Sequence, residues 1–169
     1  KRYKNRYGNF YKSFKFKNNL FIILNPYEDK WSIKNQQYFF LKTVLEQNYD
    51  LVDNIFIITH PLFYIGDQFQ VIPNSLGGAK NADKFAPDFD PVYENIETVN
   101  KKFKFAKENI NFWNEIYPLL EKYINKYYII SGDVGAFDNG SELFCKKIDN
   151  NVFLATGMGS GKNDNYLIF

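Results

Sequence analysis

The 169-residue chain holds a single cysteine, Cys145, and a single histidine, His60. One cysteine excludes a disulfide within the chain, and with it the small secreted scaffolds that depend on such bridges, while leaving the compartment open. One histidine excludes an imidazole-rich metal centre built from these residues alone. No apolar run approaches the roughly 20 residues that cross a bilayer as a helix, and no signal-peptide succession is present. A Gly-x-Ser-x-Gly elbow for a serine nucleophile is also missing, and Cys145 falls in a strand pattern unsuited to a reactive thiol. Charge of one sign is nearly balanced, with 21 basic and 19 acidic side chains. The small excess sits within residues 1–17, unaccompanied by any recognised nucleic-acid module, so no nucleic-acid partner is expected.

What is present is enough for one domain, 1–169, that buries roughly two-thirds of its unfolded surface. Tyr (13) and Phe (18) are abundant, as are Asn, Lys and Ile, a bias of codon usage before it is one of function. Residues 9–17 alternate apolar and polar, which predicts a half-buried strand with a lysine-rich solvent face. The continuous run 20–24, closed by Asn25-Pro26, predicts a buried strand, and the two form a hairpin across Asn18-Asn19. Ser32 is placed to cap a helix whose stripe comprises Ile33, Gln37, Phe40, Leu41, Val44 and Leu45. Asp53 and Asn54 lead into a strand that ends at Thr59 and His60.

Periodicity fails over 62–104, where prolines, glycines and an acidic cluster at 83–90 punctuate the chain. A stretch of this length inside one domain is a long loop insert, either a cover over a site or a surface insertion. Helical spacing returns over 105–125 through Ile110, Trp113, Ile116, Leu119, Leu120 and Ile124, with Pro118 expected to kink it or break it in two. A strand at 127–130 follows. Segments 143–148, 152–156 and 166–169 read as closing strands, the first two joined by Asp149-Asn150-Asn151. Helices alternate with strands early and hairpins come late, giving an α/β fold with a mixed sheet covered by helices.

Two strands run straight into polar residues: 55–59 into His60-Pro61, and 127–131 into Gly132-Asp133-Val134-Gly135. Ligands of open α/β sheets bind at such strand ends. His60 is read either as a ligand or general acid, or as a packed histidine satisfied by backbone. Asp133 is read either as a cation ligand or base, or as a turn former that bonds its own backbone. Asp67, after Gly66, is a weaker candidate. The glycine-rich run 157–162 lacks the Walker spacing, having Thr156 and Asn163 where glycine and Ser/Thr are required, so it reads as a turn. Asn139-Gly140-Ser141 reads likewise as a turn rather than a glycosylation acceptor.

Taken in order, several of these pieces resemble the later half of the calcineurin-like metallophosphoesterases, a group that includes purple acid phosphatase-like enzymes. Tyr7-Gly8-Asn9 through Ser13-Phe14 and the strand 20–25 resemble the family's opening strand pair. Gln36-Gln37-Tyr-Phe-Phe-Leu41 is similar to its glutamine and aromatic-leucine helix, and 55–63 to the strand that ends in His-His-Pro. Residues 113–120 resemble the helix before its last ligand strand, and 152–161 its glycine-ended strand. Ser131-Gly132-Asp133-Val134-Gly135 stands where the family carries Gly-His-x-His.

The resemblance implies an α/β/β/α sandwich of which this chain is the C-terminal part. It also implies a pair of divalent metal ions, Mn, Fe or Zn, that activate water against a phosphoester. Thr59 matches the first histidine of His-His-Pro and His60 the second, while Asp133 replaces a histidine ligand. The family's early Asp-x-His, Gly-Asp and Gly-Asn-His motifs are absent. The chain opens at Lys1 with no methionine, as a processed product, an expressed fragment or the later part of a longer polypeptide would. Two functions are therefore expected: a hydrolase whose site is completed upstream, with His60 and Asp133 at its border, or an inactive relative that binds a protein partner.

Overall fold

The computed structural model describes residues 10–26, 32–60, 63–64, 110–132 and 143–156. The insert at 62–104, apart from Phe63 and Tyr64, lies outside them, as do Asp67, Asp133, Asn139-Gly140-Ser141, the glycine-rich run and the closing segment 166–169. Six strands form one sheet: β1 (Lys12–Phe16), β2 (Asn19–Ile23), β3 (Asn54–Thr59), β4 (Lys126–Ser131), β5 (Leu143–Ile148) and β6 (Asn151–Thr156). Their order across the sheet is β1-β2-β3-β4-β6-β5. The inner four are parallel, and β1 and β5 close the edges antiparallel to β2 and β6. This is a mixed sheet in an α/β fold.

Both hairpins have two-residue loops, since Phe16 pairs with Asn19 and Ile148 with Asn151. Lys17 at φ 53° and Asp149 at φ 52° supply the positive φ that such tight loops require. The loop residues are thus Lys17-Asn18 and Asp149-Asn150, and Asn19 and Asn151 already belong to strands.

Between β2 and β3 runs helix α1 (Asn35–Asn48), and before β4 comes a π-helical turn (Phe112–Ile116) that continues as helix α2 (Tyr117–Leu120). The strands β2, β3 and β4 advance in one direction across the sheet. Right-handed crossovers then put both helical segments on the same face. Burial agrees: Leu20, Ile22, Ile55, Ile57, Ile129 and Phe153 pack in one cluster with Leu41, Leu45, Phe112, Ile116 and Leu120. Pro118 stands in the first turn of α2, where the continuous helical stretch 112–120 passes from π to α geometry without a break between the two pieces.

Three local expectations are corrected. Helix α1 begins two residues later than a Ser32 cap requires: its cap position is Lys34, without a side-chain bond, and Ser32 is buried in a β-bridge. Ile124 leaves the helical stripe altogether and is 96% exposed, because α2 has already ended. In β1 the apolar positions Phe14 and Phe16 face away from the helices and are themselves largely exposed. Tyr11 turns instead toward α1, where it meets Phe40.

On the sheet's other face the register builds an aromatic row: Phe14 stacks on Phe21, Phe21 on Phe56 and Phe56 on Tyr128, at centroid distances of 5.0, 4.7 and 4.7 Å. The Lys126 ammonium caps it, 4.6 Å from the Tyr128 ring. No helix of the described residues is long and apolar enough to cross a membrane.

The two faces predict different sensitivities. Ile57→Ala, at a fully buried position under the helices, should cost about 3 kcal/mol of unfolding free energy by cavity formation. Phe14→Ala, on the edge of the aromatic row, should cost about 1 kcal/mol. Urea denaturation of the two variants measures both.

Candidate functional site

The parallel strands β2, β3, β4 and β6 all end at one edge of the sheet. Every segment outside the described residues is flanked by that edge. It follows Pro26, His60, Gly132 or Thr156, lies between Tyr64 and Ile110, or leads into β1, whose first residue Lys12 pairs with Ile23 near the end of β2. The opposite edge is closed by the two hairpin loops and by the short connections into β3 and β4. Long connections gathered at one edge of a rigid sheet are where binding and catalysis are usually carried.

At the centre of this edge His60 and Gly132 stand side by side. The ladder pairs Thr59 with Ser131, and one step further Gly132 N–H donates to His60 O at 2.9 Å. His60 is exposed. The described parts of the two sequence motifs, Thr59-His60 and Ser131-Gly132, are thereby joined on neighbouring strands. Asp133 follows Gly132 directly but lies outside the described residues, so its side chain has no position to report.

Thr59 behaves differently from His60. It is 5% exposed, turned toward the helix-covered face, and its hydroxyl lies 2.9 Å from that of Ser131. Ser131 in turn hydrogen-bonds Tyr64, whose hydroxyl donates to Leu154 O at 2.9 Å. Three hydroxyls and one carbonyl thus run across β3, β4 and β6 just beneath the strand ends. Burial pushes the Tyr64 phenol well above its ordinary range, partly offset by the bond from Ser131. Trp113 Nε1–H fixes the Tyr64 backbone by donating to its carbonyl at 2.8 Å.

Two buried amides brace the same edge. The Gln37 side chain accepts from Asn25 N–H at 2.6 Å and donates to Asn25 O at 3.0 Å. Asn111 does the same for Ile33, accepting from its N–H and donating to its carbonyl, each at 2.9 Å. A primary amide offers a donor and an acceptor in one plane, so each replaces a missing ladder partner. Sequence reading counted Gln37 into an apolar stripe and passed over Asn111, Ser131 and Tyr64. A buried glutamine within a helical stripe was the available signal, because such a group is retained only when both ends of its amide are bonded.

Among the described residues no group of three or more His, Cys, Asp and Glu could hold a metal ion. Thr59 is committed to Ser131, which leaves His60 as the one imidazole at the edge. These residues alone do not fit a dinuclear metal centre. Compared with known proteins, the chain matches no protein-family model, no curated protein and no solved structure.

The hydroxyl network yields a pH prediction. Tyr64 is neutral in both folded and unfolded chains below pH about 10. Above it the unfolded chain loses the proton and the folded chain keeps it, so stability falls as pH rises, by up to about 1.4 kcal/mol per pH unit. Tyr64→Phe should cost about 1 kcal/mol at pH 8, through the lost bond to Leu154 O. It should also flatten the decline between pH 10 and 11. Urea titrations at pH 8, 10 and 11 test both effects.

Proposed function

We propose that this chain is the later part of a metal-dependent phosphoester hydrolase of the calcineurin-like metallophosphoesterase type. The observation that carries the reading is the Gly132 to His60 hydrogen bond. It sets His60 and the start of the Gly132-Asp133 turn next to each other at the ends of central parallel strands, where the family resemblance calls for ligands. The strand ends that flank the long segments, at Ile23, Thr59, Ser131 and Thr156, lie at that edge and support it further.

In this reading His60 and Asp133 border a site whose remaining ligands come from a segment upstream of residue 1, and divalent Mn, Fe or Zn supplies the Lewis acid. The insert at 62–104 shapes access for the phosphoester. The α/β/β/α sandwich belongs to the same proposal. Its support is the apolar far face of the sheet, carrying Phe21, Phe56, Ile58, Ile130 and Leu154, which the described helices do not cover.

A second reading has its own observation. Thr59 replaces a family imidazole and spends its hydroxyl inside the fold, as a scaffold that binds a protein partner without catalysis would allow.

Elemental mass spectrometry on an upstream-extended chain, after exposure to Mn, Zn and Fe, separates the two. The hydrolase reading expects about two ions per chain, weaker retention in Asp133→Ala, and hydrolysis of p-nitrophenyl phosphate or its diester that falls at least about a hundredfold in His60→Ala. An extended chain with neither metal nor hydrolysis would leave the binding scaffold.

A further inference from the structure

On its lateral side the sheet ends at β1, whose residues bond to β2 and, among the described residues, to no other strand. The two-residue loop makes Phe16 and Asn19 a hydrogen-bonded pair. Such pairs alternate along an antiparallel ladder, so Phe14 with Phe21 and Lys12 with Ile23 are bonded likewise. The backbone N–H and C=O groups of Ser13 and Lys15 therefore point away from β2, open to a further strand.

The side chains beside this open ladder are aromatic and basic. Phe14 and Phe16 are 49% and 60% exposed. Lys12, Lys15 and Lys17 are exposed as well, and residues 1–24 contain no Asp or Glu. Phe14 is the outermost ring of the stacked row, whose centroids stand 5.0, 4.7 and 4.7 Å apart on successive strands. That is the distance between neighbouring strands, about 4.8 Å, so the ladder itself sets the stack at one ring per strand. A strand added beyond β1 sets its own side chain against the outer face of Phe14, in a non-hydrogen-bonded pair where side chains lie closest. An aromatic side chain there continues the row. A second copy of β1 is a poor occupant, because it brings lysines toward lysines, the arrangement that keeps open edges from pairing with themselves. An acidic strand meets attraction instead.

We propose that the lateral edge at β1 docks an extended acidic segment of another protein. The segment runs antiparallel to β1, with an aromatic residue opposite Phe14 and carboxylates opposite Lys12 and Lys15. Its backbone bonds to that of Ser13 and Lys15, and its carboxylates select it. This surface goes beyond the strand-end site and stands with or without a metal there.

Fluorescence anisotropy of the labelled, end-capped peptide Ser-Val-Glu-Phe-Thr-Glu-Ser, titrated with the 169-residue chain, tests the proposal. In the antiparallel register its Phe lies opposite Phe14, its first Glu opposite Lys15 and its second opposite Lys12. The expected result is saturable binding that weakens with salt. Affinity should fall at least about tenfold in Lys15→Glu, through like-charge repulsion, and similarly in Ser13→Pro, which removes an outward N–H while the bonds between β1 and β2 remain. Lys15→Glu alters only an exposed side chain, and its urea denaturation should match the parent, so lost binding there is not lost folding. Unchanged binding in a folded Ser13→Pro chain would overturn strand addition, and equal binding of the peptide with both Glu replaced by Lys would overturn the charge selection. Binding of oligothymidylate in place of the peptide would overturn the proposal in favour of a single-stranded nucleic-acid surface. Absence of any peptide binding would overturn it in favour of lysines that only guard the edge against pairing.

Discussion

The parallel pairing of β3 with β4 is the constraint on which the rest depends. It joins residues more than 70 positions apart, as the Thr59 to Ser131 contact records, and parallel strands cannot be joined by a tight turn. The entropy of closing so long a connection grows only logarithmically, by about 0.6 kcal/mol for each doubling of length. Full burial of Ile55, Ile57, Tyr127 and Ile129 along the shared face, at about 2 kcal/mol for each large side chain, offsets it. Once that pairing is set, β2 and β6 have only one open side each to add to. The helices that connect them fall on one face by handedness, and His60 meets Gly132.

The long connection is not left to entropy alone. Asn111, at its return, is bonded twice to Ile33 and once to Glu115, the last at 2.7 Å. Phe63 and Tyr64, at its departure, lie edge-on to Phe112, at 5.0 and 6.1 Å. Both ends of the excursion are therefore anchored in one aromatic and amide cluster over β4 and β6, with Phe153 at its centre. This arrangement lets length and sequence vary between the anchors while the strand ends beneath them stay fixed. It also explains the buried hydroxyls: where the covering helices stop short, Thr59, Ser131 and Tyr64 satisfy one another instead of exposing the ladder's end to water.

Much of this fold was legible in the chain. Continuous apolar runs gave β2, β3 and β4, because these strands carry apolar side chains on the helix-covered face and an aromatic and aliphatic row on the other. The stripe Gln37, Leu41, Val44 and Leu45 gave α1, whereas at Pro118 the helical stretch changes from π to α geometry instead of breaking. Legibility ended where local pattern and tertiary demand diverge. Ser32 has the chemistry of a cap, yet the backbone there is claimed by a β-bridge and the helix starts later. Ile124 continues a spacing that the chain itself abandons after Leu120. In β1 the alternation was readable but its orientation was not, since a period of two does not say which face the helices will cover. Of the candidate site, the meeting of Thr59-His60 with Ser131-Gly132 was foreseeable from strand ends. The hydroxyl relay was not, because Ser, Thr and Tyr at strand ends carry no spacing signal of their own.

The two edges of the sheet are built to different standards, and this bears on how stability and function share the molecule. At the closed edge the turns are two residues long and the side chains of α2 pack directly on β4 and β6. At the other edge the backbone leaves the sheet four times, after β2, β3, β4 and β6, and the groups that hold it are amides and hydroxyls in place of aliphatic side chains. Hydrogen bonds contribute about 1 kcal/mol each and are directional, whereas burial of a leucine contributes more and is not. An edge held by directional bonds fixes positions closely while adding little stability, which is what a site needs from its support. The closed edge supplies the stability, through the burial of Leu119 and Leu120 of α2 with Tyr127, Ile129 and Phe153.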